Sequence, residues 1–234
     1  MPTWAKWLLG CGCTAGLLGA LALGGFLMFA NSRPRAWHVE QALEIAAPPE
    51  EVAALVVDLH RWSEWSAWTR DVDAEVTRTF SGPASGTGAT VSWSAEPALE
   101  IGAGAVRVRV ASHDQAKAGN GVLEIVAVEG TNLTLRTTFI DGLVFASSHT
   151  DGSGSSSSIT NIQTPGENVV VSGSIRIDAS GSGSRVVWIE DGSLAEGVTQ
   201  GLVAMAAIPM ISAAHDKLVL ASLSGLKARA ELGK

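Results

Sequence analysis

The sequence predicts an α+β domain, a run of antiparallel strands folded around one helix, behind an N-terminal membrane anchor. Three observations predict it. A strand leads into a proline-started helix near Pro49, alternating apolar and polar segments fill the middle, and the stretch from about Ala195 to Leu232 has a helical pattern. Helices set apart from the strands along the chain mark the α+β class.

The chain has 234 residues, of which 46% are apolar and 17% charged, so it can bury a sizeable core and is no disordered chain. A net charge of −7 with no Lys/Arg stripe leaves no footprint for nucleic acid. The only cysteines, Cys11 and Cys13, lie in the apolar N-terminal run, two apart, which is poor geometry for a disulfide. The rest of the chain therefore has no disulfide and no thiolate metal site, and no cofactor is expected. His113, His149 and His215 show no metal-ligand spacing. H-E-x-x-H, the phosphate loop and G-x-S-x-G are all missing, and Gly86-Thr87-Gly88 is too short for a dinucleotide fingerprint.

The anchor comes first. From Trp7 to Ala30 no residue is charged. As a helix this run would extend roughly 36 Å, against a hydrocarbon core of about 30 Å. Trp4 and Trp7 suit one interface, Lys6 flanks one end, Arg33 and Arg35 flank the other, and Pro34 stops the helix. The exit at Met28-Phe29-Ala30 lacks the small residues of a signal cleavage site, and the run before Cys11 is too short for a lipoprotein signal. The flanking charges balance. The short N-terminal tail favours an inside N-terminus, and the expected location is a bacterial inner membrane, single-pass, with the domain outside the cytoplasm. Gly12, Gly16, Ala20 and Gly24 recur every fourth residue, a small-residue face through which a homodimer would pack. The expected division is residues 1–36, anchor and linker, and 37–234, folded domain.

Val39, Leu43 and Ile45 alternate with His38, Glu40 and Glu44, a half-buried strand. Ala47-Pro48-Pro49-Glu50-Glu51 then starts a helix, with proline early and acidic residues at the positive end. Val52, Leu55, Val56 and Leu59 form its buried face. Trp62, Trp65 and Trp68 follow at every third residue, nearly on one side of a short helix. Ser81-Gly82-Pro83 marks a turn, and Thr90–Trp93 alternates as a strand. Further strands are expected at Val106–Val110, Gly121–Val128, Asn132–Ile140, Val169–Ile177 and Ser184–Glu190. Ser147–Thr164, rich in Ser and Gly, reads as a flexible loop. In the last segment Ile211, Leu218 and Val219 share a face, and Pro209 should kink or break the helix near its start.

Ala47-Pro48-Pro49-Glu50-Glu51-Val52 and Asp58-Leu59-His60-Arg61-Trp62-Ser63-Glu64-Trp65-Ser66-Ala67-Trp68 together resemble the polyketide cyclase/dehydrase branch of the START-like (SRPBCC) superfamily. The likeness continues through Phe80–Ala89 and Trp93, and Gly225-Leu226-Lys227 is similar to the family's terminal block. It covers roughly Trp37 to Leu232, with Ser94–Lys117 and Asp141–Gly166 longer than usual and Ala67 where proline is the rule. The resemblance implies a helix-grip fold, a curved antiparallel sheet gripping the long C-terminal helix with a cavity between them. It also implies that many relatives carry a membrane helix.

Trp62, Trp65, Trp68, Trp93 and Trp188, with Arg61, are the candidate ligand-binding residues. Aromatic walls with a few polar groups are what an apolar-ligand pocket needs, although each ring would serve equally as core packing. No catalytic set converges. His60 and Asp58 are the first candidates if there is one, because a histidine near pH 7 can move a proton. Asp58, Glu64 and Asp71 read equally well as exposed charge. The expected partner is a hydrophobic small molecule or lipid. The alternatives are a cyclase- or dehydratase-like enzyme on a hydrophobic substrate, and a docking domain of a membrane assembly.

Overall fold

The computed structural model describes residues 18–70, 77–94, 99–103, 106–110, 120–140, 143–151, 154–162, 168–195 and 198–232. It begins in helix α1 (18–31), whose Leu18, Leu21, Phe26 and Met28 are exposed. The earlier part of the expected anchor, with Gly12 and Gly16, lies outside the described residues, while Ala20 and Gly24 are exposed on α1. Among the described residues no helix is long and apolar enough to cross a membrane. Of the expected transmembrane run, residues 7–30, only the part from residue 18 is described, as α1.

Strand β1 (Ala36–Ile45) buries Trp37, Val39 and Ile45 and exposes His38, Glu40 and Glu44, the expected alternation. Helix α2 (Pro49–Val56) starts at Pro49, carries Glu50 and Glu51 in its first turn, and buries Val52, Ala53, Leu55 and Val56. A 3₁₀ helix (Leu59–Glu64) follows, its first turn capped by the Asp58 carboxylate, which accepts from the His60 amide at 3.0 Å. Helix α3 spans Ala67–Arg70.

The strands are β2 (Thr77–Ser81), β3 (Thr90–Ser94), β4 (Leu99–Ala103), β5 (Val106–Val110), β6 (Asn120–Glu129), β7 (Asn132–Ile140), β8 (Leu143–Asp151), β9 (Gly154–Ile162), β10 (Val169–Ser180) and β11 (Gly183–Ser193). Seven form one curved antiparallel sheet in the order β1-β11-β10-β7-β6-β3-β2. A register shift between Ile125 and Ala127 bends the β6–β7 pair. The β2–β3 connection owes its shape to Gly82 at φ +79°, where a Cβ would strike the Gly88 carbonyl oxygen. The same loop donates from Gly86 to the Val57 carbonyl and from Gly88 to the Ile125 carbonyl, tying α2 to β6.

Two pairs stand apart, β4 with β5 and β8 with β9. The second corrects the expectation of a loop over Ser147–Thr164. A strand ladder uses backbone groups that serine supplies as well as valine does. In register, Leu143 pairs with Ile162 and Phe145 with Thr160, so β-forming residues open and close the serine-rich ladder.

Helix α4 (Val198–Glu231) completes the domain, lying along β1 and touching α2 and α3. It runs through Pro209 without a break, contrary to the expected interruption there. Pro209 is exposed, so the missing amide bond faces solvent, and the buried stripe of Ala204, Ile211, Val219, Leu223 and Leu226 holds the helix on the core. The result is an α+β, helix-grip-like architecture.

Candidate functional site

The segment from Asp58 to Arg70 is built to stay in place. The last carbonyls of a helix lack internal partners. Here two indoles supply them: Trp62 Nε1 donates to the Val56 carbonyl at 2.8 Å, and Trp65 Nε1 donates to the Leu55 carbonyl at 3.2 Å. On the opposite side the segment is bound to α4. The Ala67 amide donates to Ser222 Oγ at 3.0 Å, and Arg229 Nε meets Glu64 Oε2 at 2.6 Å. Gly225 leaves no room for a Cβ against the Trp65 carbonyl oxygen. Arg78 on β2 reaches across to the Thr69 carbonyl at 3.0 Å.

Between this segment and the concave face of the sheet lies a cavity of about 340 Å³. Leu59, His60, Trp62, Ser63, Trp68 and Thr69 form one wall. Arg78, Phe80, Val91, Trp93, Leu123, Leu135, Thr137, Trp188 and Glu190, from β2, β3, β6, β7 and β11, form the other. The expected place was between sheet and C-terminal helix. Among the described residues, α4 contributes none of the lining: it lies along β1, and the 58–70 segment covers the middle of the sheet.

Two aromatic triads flank this space. Trp62, Trp65 and Trp188 meet tilted or edge-on at 4.9, 5.8 and 6.1 Å between centroids, and all three are buried. Trp68, Trp93 and Phe139 stand at 5.9, 5.6 and 5.9 Å, with Trp68 and Trp93 only half-buried. Trp93 packs against Gly121, where a Cβ would collide with its ring.

Of the sequence-predicted residues, Trp62, Trp68, Trp93, Trp188 and His60 line the cavity. Trp65 and Arg61 do not. Trp65 is fully buried behind Trp62, and Arg61 pairs with Glu64 at 3.3 Å. Hydrogen bonds from Arg61, then from Arg229, hold the Glu64 carboxyl below the usual carboxylate range. His60 stacks on Phe80 at 4.0 Å, with Asp58 Oδ1 3.2 Å from its Nδ1, at the exposed rim. Asp71 lies outside the described residues. Among the described residues no cluster of three His, Cys, Asp or Glu could hold a metal.

Sequence reasoning missed the polar pair at the inner end. Glu190 Oε2 and His215 Nδ1 stand 3.1 Å apart, with side chains 9% and 6% exposed. Trp37 meets the imidazole edge-on at 5.9 Å. Trp188 Nε1 is buried without a partner among the described residues, an arrangement that costs about 1–3 kcal/mol. A signal was present in the sequence. His215 sits midway between Ile211 and Val219 on the buried stripe of α4, and Glu190 follows Val186 and Trp188 at period two on the buried face of β11.

No protein-family model and no curated protein matches the chain. Among solved structures it is similar to the Zhui aromatase/cyclase from Streptomyces sp. R1128, at 15% identity and TM-score 0.48 over 84% of this chain and 94% of that one. It is similar to ginseng major latex-like protein 151 from Panax ginseng, at 12% identity and TM-score 0.41 over 83% and 97%. It is similar also to the Aha1 dimer from Colwellia psychrerythraea, at 14% identity and TM-score 0.42 over 85% and 98%. Likeness at this level carries no argument about ligand or reaction.

Proposed function

We propose that this chain is a membrane-attached, SRPBCC-type domain that binds a hydrophobic small molecule or lipid between the concave sheet and the 58–70 segment. The observation that carries the reading is the cavity of about 340 Å³ walled by Trp62, Trp68, Trp93 and Trp188. That volume falls within the about 300–1,000 Å³ of small-ligand sites, and the few polar groups among apolar walls fit the same class. Burial of ligand surface, at about 25 cal/mol per Å², would supply most of the affinity. The test is native mass spectrometry of the full chain purified from its host. A co-purified small molecule is expected. A chain always found empty, with no thermal shift from lipid extracts, would overturn the reading and favour a docking domain.

Attachment through residues 7–30, with residues 37–234 outside the cytoplasm, is part of the proposal. The uncharged run and the exposed apolar side chains of α1 support it. Protease added to intact cells should digest the domain, and digestion only after lysis would reverse the orientation. A homodimer through Gly12, Gly16, Ala20 and Gly24 should lose its cross-link in Gly16→Ile.

A second reading is a cyclase- or dehydratase-like enzyme. The observation favouring it is His60, a cavity-lining imidazole held by Asp58 at 3.2 Å. If a bound molecule is recovered and leaves His60→Gln protein chemically altered relative to wild type, the enzyme reading takes precedence.

A further inference from the structure

The inner end of the cavity is not apolar. Glu190 stands there on β11, two residues from Trp188, with its side chain 9% exposed. Burying a carboxylate is costly unless it is paired, and only half of this one is. His215 of α4 occupies Oε2 at 3.1 Å, while Oε1 has no partner among the described residues. The imidazole is itself 6% exposed and meets Trp37 edge-on, so the partner of Oε2 is fixed within the core. Room has been left beside it. Across the ladder from Glu190 is Gly173, where a Cβ would lie 3.3 Å from Leu135 Cβ and 3.8 Å from Glu190 Cγ. A Cβ there would press on the cavity-lining Leu135 and reach ordinary contact with Glu190.

We infer that Glu190, positioned by His215, is the polar anchor of this cavity, and that it selects apolar ligands carrying a hydrogen-bond donor, a hydroxyl or an amine, seated head inward. A buried oxygen with an open lone pair rewards a donor and rejects a second carboxylate. The apolar walls, Trp68, Trp93, Val91 and Leu123 among them, take the apolar body. The inference rests on the binding reading above and narrows it to a ligand class.

Four probes share one skeleton: naphthalene bearing a hydroxymethyl, an aminomethyl, a carboxylate or a methyl group. Each is titrated calorimetrically into the full chain in phosphatidylcholine nanodiscs, with protein-free nanodiscs subtracted. The hydroxymethyl and aminomethyl probes should bind about ten-fold tighter than the methyl probe, the scale of one hydrogen bond to a charged group, and the carboxylate should bind weakest. In Glu190→Gln the gap between aminomethyl and carboxylate should shrink to about three-fold or less. The two arms with donors tell alcohol from amine. If the methyl probe binds and the head groups rank alike, or the carboxylate ranks first, this inference fails and the cavity reading stands. If no probe binds, the methyl one included, the cavity reading falls and takes the inference with it. The wild-type ranking decides the matter even if the variant does not fold.

Discussion

Two histidine–carboxylate pairs each give one residue to the cavity lining, His60 and Glu190, and differ in nearly every physical respect. Asp58 and His60 are neighbours in sequence, their side chains are 32% and 53% exposed, and they sit on a 3₁₀ turn at the rim. Glu190 and His215 come from a strand and a helix 25 residues apart, and both are buried. The rim pair doubles as a local cap: the Asp58 oxygen that meets the imidazole also accepts the His60 amide. The inner pair has no such local duty. A carboxylate that caps a helix explains itself, whereas a buried one facing a cavity calls for a ligand. The aromatic triads follow the same division, one fully buried with the indoles of Trp62 and Trp65 hydrogen-bonded, the other partly open.

The sharpest way to break this contrast is to cut both triads. Trp65→Ala in the sealed triad should cost about 3–5 kcal/mol in denaturant unfolding, as large core truncations do. Trp93→Ala at the open triad should cost clearly less, and equal losses would erase the distinction. Next in size is Gly121→Val, which drives the Trp93 ring off its seat. Overpacking of this kind should lower stability by about 1–3 kcal/mol and weaken binding of the methylnaphthalene probe. Stability lost with binding intact would show that Trp93 is no part of the wall. Asp58→Ala removes a cap and should cost about 0.5–2 kcal/mol by thermal or chemical melting. An unchanged midpoint would mean that the rim carboxylate is there for the imidazole and not for the turn. The smallest effect belongs to Glu64→Gln, at most about 0.5 kcal/mol at neutral pH given its exposure. Arg61 and Arg229 lower the carboxyl in the folded chain, so its contribution is present above the unfolded carboxylate range and lost as pH falls through the folded value. Wild type and variant should therefore converge in acid, and a gap that widened there would contradict the pairing.

Much of the fold was readable because it is local. β1, α2 and β7 follow from period-two and period-3.6 burial, and Asn132–Ile140 matches its strand end to end. Where the reading failed, something non-local intervened. The β8–β9 pair runs through serines because a partner strand supplies what composition does not. α4 passes Pro209 because packing outweighs one lost hydrogen bond. At the site, the tryptophan spacing pointed to the right segment but could not separate Trp65, turned into the core, from Trp62 and Trp68, turned to the cavity. Arg61 looked like a rim residue and was claimed by Glu64.

By itself the sequence determined the α+β class, the strand–proline–helix opening, the uncharged N-terminal run and the aromatic segment before the sheet, since each is written in residues close together. The tertiary structure alone decided where the cavity lies, which rings wall it, and that Glu190 of its lining meets His215 of α4. Those are matters of chain return: β11 and α4 meet only when the sheet curls, and no periodicity along one segment encodes a contact between two.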